Sequence, residues 1–252
     1  MPVEPIELER YLHTRLEADG FPDMGINGLQ LDGNATITSI ASSATASRAM
    51  CEAAVNAGAN ALLVHHGWFW GGDPSIRGLL RDRVATLIKA DCSLLAYHLP
   101  LDAHPEHGNN AWILRQLGAA VTGPLGSYKG APLGLTGELA APMRIAELVS
   151  RCATLFDHPV LHAPGGPDTI SRIGAISGGG QNHLSQAAAA GCEAFITGDS
   201  TEQTWHEAAE LGIHCLCCGH YATERHAIHE LAAAAAAEFG LEHHRLDEAN
   251  PC

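Results

Sequence analysis

The chain has 252 residues, 46% hydrophobic and 17% charged. That composition suits a globular protein of one large or two small domains and leaves no apolar run of about 18 residues to span a membrane. With 28 Asp and Glu against 14 Lys and Arg, the formal net charge is −14. So acidic a chain repels a phosphate backbone, which disfavours nucleic acid as the main partner.

A first helix is expected near Glu4–Ala18. Its approach carries Glu4, Glu7 and Glu9 and no basic apolar lead, so it does not read as a signal or transit peptide, and the expected compartment is the cytoplasm. A strand follows at Thr36–Ala41, then an Ala-rich helix near Ser47–Asn56, closed by Gly58. Next come a strand at Ala61–Val64, a helix at Ile76–Ala90 and a strand at Ser93–Tyr97. The Gly- and Pro-rich stretch Gly123–Pro142 reads as a joining segment with a strand near Leu133–Leu139. The same order then recurs: strand Thr169–Ala175, helix Asn182–Ala190 before Gly191, strand Ala194–Thr197, helix Glu202–Leu211 and strand Ile213–Cys218. Leu241–Asp247 is a candidate last strand.

This recurrence is an internal repeat. A shift of 133 residues sets Ile37 and Ile40 on Ile170 and Ile173, and Ala57–Ala61 on Ala190–Ala194. With a shorter offset, His98 and Asp102 fall on His220 and Glu224, each pair spaced i, i+4. The first copy carries an insertion around Trp68–Pro74. Short apolar strands alternating with helices indicate an α/β protein with largely parallel pairing, divided as 1–125 and 126–252.

Ligands of open α/β sheets gather beyond the carboxyl ends of the strands. His65 and His66 follow one such strand, His98 and Asp102 a second, His220 and Glu224 a third. Imidazoles with carboxylates suit zinc, iron or manganese, and a carboxylate can bridge two ions. Each residue alone has a plainer reading: Asp102 as a loop cap, Glu224 as a charge opening a helix. In combination, His65, His66, Asp102, His220 and Glu224 are the expected metal ligands, with His98 beside them holding a ligand through its free N–H. Cys215, Cys217 and Cys218 form the one cluster among the eight Cys and lie in an apolar run, so buried structural thiols are expected. Gly178-Gly179-Gly180 reads as a tight turn, lacking a phosphate-loop pattern. Trp68-Phe69-Trp70 reads equally as a stacking wall or as a subunit contact. Asn27–Gln30 reads as a polar loop.

Asn27-Gly28-Leu29-Gln30, Leu63-Val64-His65-His66-Gly67, Tyr97-His98-Leu99-Pro100-Leu101-Asp102, Gly108-Asn109-Asn110, Ser177-Gly178-Gly179-Gly180, Thr197-Gly198-Asp199 and Gly219-His220-Tyr221-Ala222-Thr223-Glu224 occur in this order. From about residue 20 to the end the chain resembles the YbgI or Nif-three-like family of dinuclear-metal hexameric proteins. The resemblance implies two intertwined α/β repeats with mostly parallel mixed sheets, a homohexameric ring and two divalent ions on the same five ligands. Asp199 is placed near the site without being a ligand. Members are often labelled a second type of GTP cyclohydrolase, which implies metal-dependent hydrolysis of a nucleotide or related heterocycle. Glu202, which opens the helix after Asp199, is a candidate general base, and equally a favourable first-turn charge. A metal-binding regulator or scaffold without turnover is the other class that fits.

Overall fold

The structure is a computed structural model that describes residues 2–33, 36–71 and 75–252; of the Trp68–Pro74 insertion, residues 72–74 lie outside the described residues. Two compact units divide the chain. One holds Met1–Leu101 with Arg225–Ala249, the other Asp102–Glu224 with Asn250–Cys252. The expected division at 125/126 follows sequence similarity, whereas these units follow packing.

The first unit opens with α1 (Pro5–Leu16) and β1 (Gly28–Leu31), followed by β2 (Ser39–Thr45), α2 (Arg48–Asn56), β3 (Ala61–His66), α3 (Gly78–Lys89) and β4 (Ser93–Ala96). α10 (Ala227–Phe239) and β11 (Glu242–Arg245) complete it. Its sheet has the order β1-β4-β3-β2-β11. β11, β2, β3 and β4 run parallel, and β1 is antiparallel to β4. Successive side chains on a strand face opposite ways. Ala41, Leu62, Val64, Leu94 and Ala96 therefore share a buried cluster with Cys51 and Ala54 of α2 and Val84 and Leu87 of α3. Strands buried on both faces read as continuous apolar runs, which is why Ala61–Val64 was legible.

On β2, the fully buried Ser42 faces α10. Its Oγ lies 2.7 Å from His229 Nδ1 and 2.8 Å from His243 Nε2, and His229 Nε2 lies 3.3 Å from Asp247 Oδ1. The consistent set of protons has Ser42 donating to His229, His243 donating to Ser42, and His229 donating to Asp247. A serine sealed inside a sheet is no nucleophile; the series clasps α10 and β11 to β2.

The second unit contains α5 (Asn109–Gln116), β5 (Ala119–Tyr128), β6 (Ala131–Arg144), α6 (Ile145–Phe156), β7 (Leu161–Ala163), β8 (Thr169–Ala175), a 3-10 turn at Gly180–His183, α7 (Leu184–Ala189), β9 (Ala194–Thr197), α8 (Glu202–Leu211) and β10 (His214–Cys217). Its sheet has the order β5-β6-β8-β9-β10-β7. β8, β9 and β10 are parallel, while β5, β6 and β7 are antiparallel to their neighbours. The fold is thus α/β with two mixed sheets, as expected. Each sheet contains the same three-strand parallel core, with a short antiparallel strand beside its last member: β1 on β4, and β7 on β10.

Three local expectations change. The joining segment is a long hairpin of β5 and β6; Lys129 and Gly130, both at positive φ, form its two-residue turn, and Pro124 is tolerated because β5 is an edge strand. Asn27–Gln30 is not all loop, since Gly28 begins β1. Glu224 does not open a helix: it ends the five-residue α9 (His220–Glu224), as Asp102 lies within α4 (Leu99–Ala103).

Candidate metal centre

In the first unit, β3 ends in His65 and His66, and His98 follows β4. One ring nitrogen from each of the three lies within 4.8 Å of the others. His65 is fully buried and donates from Nδ1 to the carbonyl of Tyr97 at 2.9 Å. His66 Nδ1 lies 3.2 Å from Thr45 Oγ1 on the adjacent strand. His98 Nδ1 donates to Asp23 Oδ1 at 2.9 Å. Asp23 was not singled out from the sequence, yet it organises this corner. Its carboxylate also accepts from Asn27 Nδ2 and from the backbone N–H groups of Met24, Gly25 and Leu99. Burial alone would raise the Asp23 carboxyl, but the hydrogen bond and charge of His98, with Asn27 and Gly25, outweigh it and hold it well below the usual carboxylate range. Asn27 Oδ1 accepts the His98 N–H, and Gln30 Oε1 accepts the Trp68 N–H. A Cβ on Gly67 would displace the Gln30 amide from its place beside the His pair. The polar Asn27–Gln30 stretch thus holds the backbone on which these histidines sit.

The aromatic run splits. Trp68 is core, its indole N–H on the Ala46 carbonyl. Trp70 is 41% exposed, with its ring edge-on to His98 at 4.8 Å and 6.0 Å from His66.

In the second unit, Asp102, His220 and Glu224 come together. One ligand atom of Glu224 lies within 4.8 Å of one from Asp102 and of one from His220. His220 Nε2 is 3.2 Å from Glu224 Oε2, and His220 Nδ1 is 2.8 Å from Asp199 Oδ2. Glu224, its first and strongest partner, raises the His220 imidazole to about 10 against the opposing effect of burial, with Asp199 adding to the rise. This is a place that favours positive charge. Asp102 Oδ1 accepts from Asn109 Nδ2 at 2.9 Å and Ser177 Oγ at 2.7 Å. Asn110 donates to the Asp102 and Leu133 carbonyls and accepts the Ser177 N–H. The Gly108-Asn109-Asn110 and Ser177 motifs therefore set the Asp102 carboxylate.

Gly178 sits at φ +56°, where a Cβ would collide with Glu224 Oε1 and lie 3.0 Å from His220 Nε2. Its carbonyl accepts the N–H of both Gly198 and Asp199, and a Cβ on Gly198 would press 2.7 Å from that same carbonyl oxygen. The Gly178 turn is thus a tight turn that leaves room over the carboxylate. Glu202 is not gathered into this group by any observed contact: its carboxylate is 88% exposed and pairs with His206 one turn along α8 at 3.2 Å. The thiols follow expectation. Cys215, Cys217 and Cys218 are buried, and burial pushes Cys51 up to about 11 and Cys92 to about 12.

Nitrogen and carboxylate donors in these arrangements fit a divalent transition-metal ion. Imidazoles and carboxylates held by hydrogen bonds are the usual setting of metal ligands. The class defined by this fold and these groups is an α/β protein with candidate His, Asp and Glu metal-binding groups.

Residues 4–251 match the Duf34/NIF3 (NGG1p interacting factor 3) family model, and the chain belongs to that family. A Pseudomonas aeruginosa relative described as a GTP cyclohydrolase 1 type 2 homolog is 43% identical over 247 residues, 97% of this chain and 96% of that one. An Escherichia coli K12 relative with the same description is 43% identical over 228 residues, 90% of each chain. A solved structure described as protein ybgI, of unknown function, superposes with a TM-score of 0.93 at 40% identity, over 99% of this chain and 100% of that one. Among the described residues, no helix is long and apolar enough to cross a membrane.

Proposed function

We propose that His65, His66, Asp102, His220 and Glu224 together hold two divalent ions, and that the protein is a metal-dependent hydrolase of a small molecule, a nucleotide or related heterocycle. The observation that carries this reading is Glu224: one buried carboxylate within coordination-scale reach of both His220 and Asp102, under a glycine that leaves space above it. The descriptions of the relatives as GTP cyclohydrolase homologs support the substrate class.

Bound ions would supply Lewis acidity toward the bond under hydrolysis. The chain's own groups do the rest. Asp199 holds His220 by Nδ1, which turns Nε2 toward Glu224. Ser177 and Asn109 fix Asp102. Glu202 is the candidate general base of this reading, its carboxylate pairing with His206 one turn along α8. The two sequence copies, 1–125 and 126–252, arose by duplication, and six chains assemble as a ring in the cytoplasm.

The test is to load the full-length protein with zinc, iron or manganese and count the metal by elemental analysis, then screen nucleotides and phosphoesters for turnover. About two ions per chain are expected, falling in Glu224→Ala, with turnover lost in the same variant. Unchanged metal content in both Glu224→Ala and His66→Ala defeats the site. Full metal content without turnover, together with a stoichiometric protein partner, replaces the hydrolase with a metal-dependent regulator or scaffold. Light scattering that gives a single-chain mass removes the ring.

A further inference from the structure

We propose that His98 is itself a metal ligand, the third imidazole of an ion-binding face on the first unit, with Asp23 as the carboxylate that orients it. The inference rests on the two-ion reading above and extends its ligand set; His98 was expected only to support a ligand.

Two observations carry it. The first is convergence. One nitrogen from each of His65, His66 and His98 falls within 4.8 Å of the others, while Nδ1 of every ring is engaged by an orienting group: the Tyr97 carbonyl, Thr45 Oγ1 and the Asp23 carboxylate. A neutral imidazole that donates Nδ1–H to a carbonyl or carboxylate carries its lone pair on Nε2, the tautomer a ligating histidine needs. Backing by a carboxylate or carbonyl is the usual setting of a ligating imidazole, and the His98 ring, flanked by Trp70, is held in one orientation.

The second is correspondence between the copies. His98 aligns with His220; His98 immediately precedes and His220 begins a five-residue helix that follows the third strand of its parallel core. Each gives Nδ1 to an aspartate brought from elsewhere in its own unit: Asp23 at 2.9 Å for His98, Asp199 at 2.8 Å for His220. If His220 is a ligand, the equivalently held His98 presents the same atom. Three imidazole nitrogens select borderline ions such as zinc, iron(II) or cobalt(II) over magnesium or calcium.

The experiment uses full-length protein stripped by chelator and titrated with cobalt(II), followed by visible absorption and elemental analysis. His98→Gln keeps an amide N–H for Asp23 but has no imidazole lone pair; Asp23→Asn keeps the shape and removes the charge. Asp23→Asn, which alters the group that orients the ring, is expected to weaken one of the two ions by at most about 10- to 100-fold, and His98→Gln, which removes a ligand, to weaken it further and to change the cobalt absorption band. His206→Ala, on the exposed face of α8, is the control and is expected to change neither. Affinities and spectra of both variants within about twofold of wild type overturn the inference while leaving the two-ion reading intact. A wild-type chain that takes up no ion overturns both. Weakening in His98→Gln alone still supports the ligand role, because the amide oxygen introduced by Asp23→Asn can accept the hydrogen bond that orients the ring.

Discussion

The two ligand groups are built from the same strand–helix unit but differ in chemistry. In the first, β3 ends in His65-His66, and three imidazoles gather, each backed by a carbonyl, a hydroxyl or a carboxylate. In the second, the equivalent strand β9 is followed by Gly198-Asp199, and the group is two buried carboxylates with a single imidazole. The first face offers imidazole nitrogens and needs its rings turned correctly. The second concentrates negative charge, which is costly to bury without a cation or a proton; the elevated His220 is that compensation. The same strand–helix arrangement carries a nitrogen face in one unit and an oxygen-rich face in the other.

Gly178→Val is the strongest way to break the second group. The substitution puts a branched side chain at positive φ and drives it into Glu224 Oε1. Left-handed strain and overpacking together predict a loss on the order of 3 kcal/mol. Thermal melts and metal counts should both fall, with loss at the carboxylate group and retention at the three imidazoles. A variant with wild-type melting and metal content would show that the turn can move aside.

The first unit should instead be sensitive to acid through its clasp. Burial first, then Arg245, holds the His229 imidazole down at about 4, against 6.5 for a free histidine. Above pH 6.5 neither the folded nor the unfolded chain protonates it, and its effect on stability is nil. Between pH 6.5 and 4 the unfolded chain binds a proton that the folded one refuses, so stability falls with falling pH, by about 3 kcal/mol at the limit. His243, lowered chiefly by burial, acts in the same direction. Urea midpoints at pH 7, 6 and 5 check this, and His229→Gln should flatten the decline. Parallel profiles for the variant and wild type would rule the clasp out as the source.

Trp70→Ala should have the smallest effect on the fold. The ring is partly exposed, so stability should change by roughly 0.5 kcal/mol or less. Metal content should hold, while the KM for a planar heterocycle rises if the indole stacks on it. An unchanged KM would leave the ring as a cover for His66 and His98.

What the sequence revealed follows from where the information lies. The parallel cores were legible because Ala61–Val64, Ala194–Thr197 and their neighbours are continuous apolar runs between glycine-capped helices. The His-x-x-x-carboxylate pairs were legible because the spacing recurs. Asp23 was not: it meets His98 across 75 residues of chain, and no local pattern marks an aspartate whose partners lie that far on. β7 has three residues, too few for a period. The β5–β6 hairpin was taken for a joining segment because an edge strand tolerates the Gly and Pro that a central strand would exclude. Glu202 was singled out by its place at the head of a helix, where its carboxylate pairs with His206 one turn on.

A segment made late, Arg225–Ala249, completes the first unit. α10 and β11 are encoded by residues 227–245, yet β11 pairs with β2 and the Ser42 clasp needs His229 and His243. At about 5–20 residues per second, a ribosome takes on the order of ten seconds to pass from residue 101 to residue 225. During that interval the first sheet has an open edge at β2, while the second unit is already receiving nearly all of its own chain. The first unit therefore waits for its covering segment until Asp102–Glu224 of the second has been made. A nascent chain arrested before α10 should bind chaperones through the uncovered face of β2 and β3.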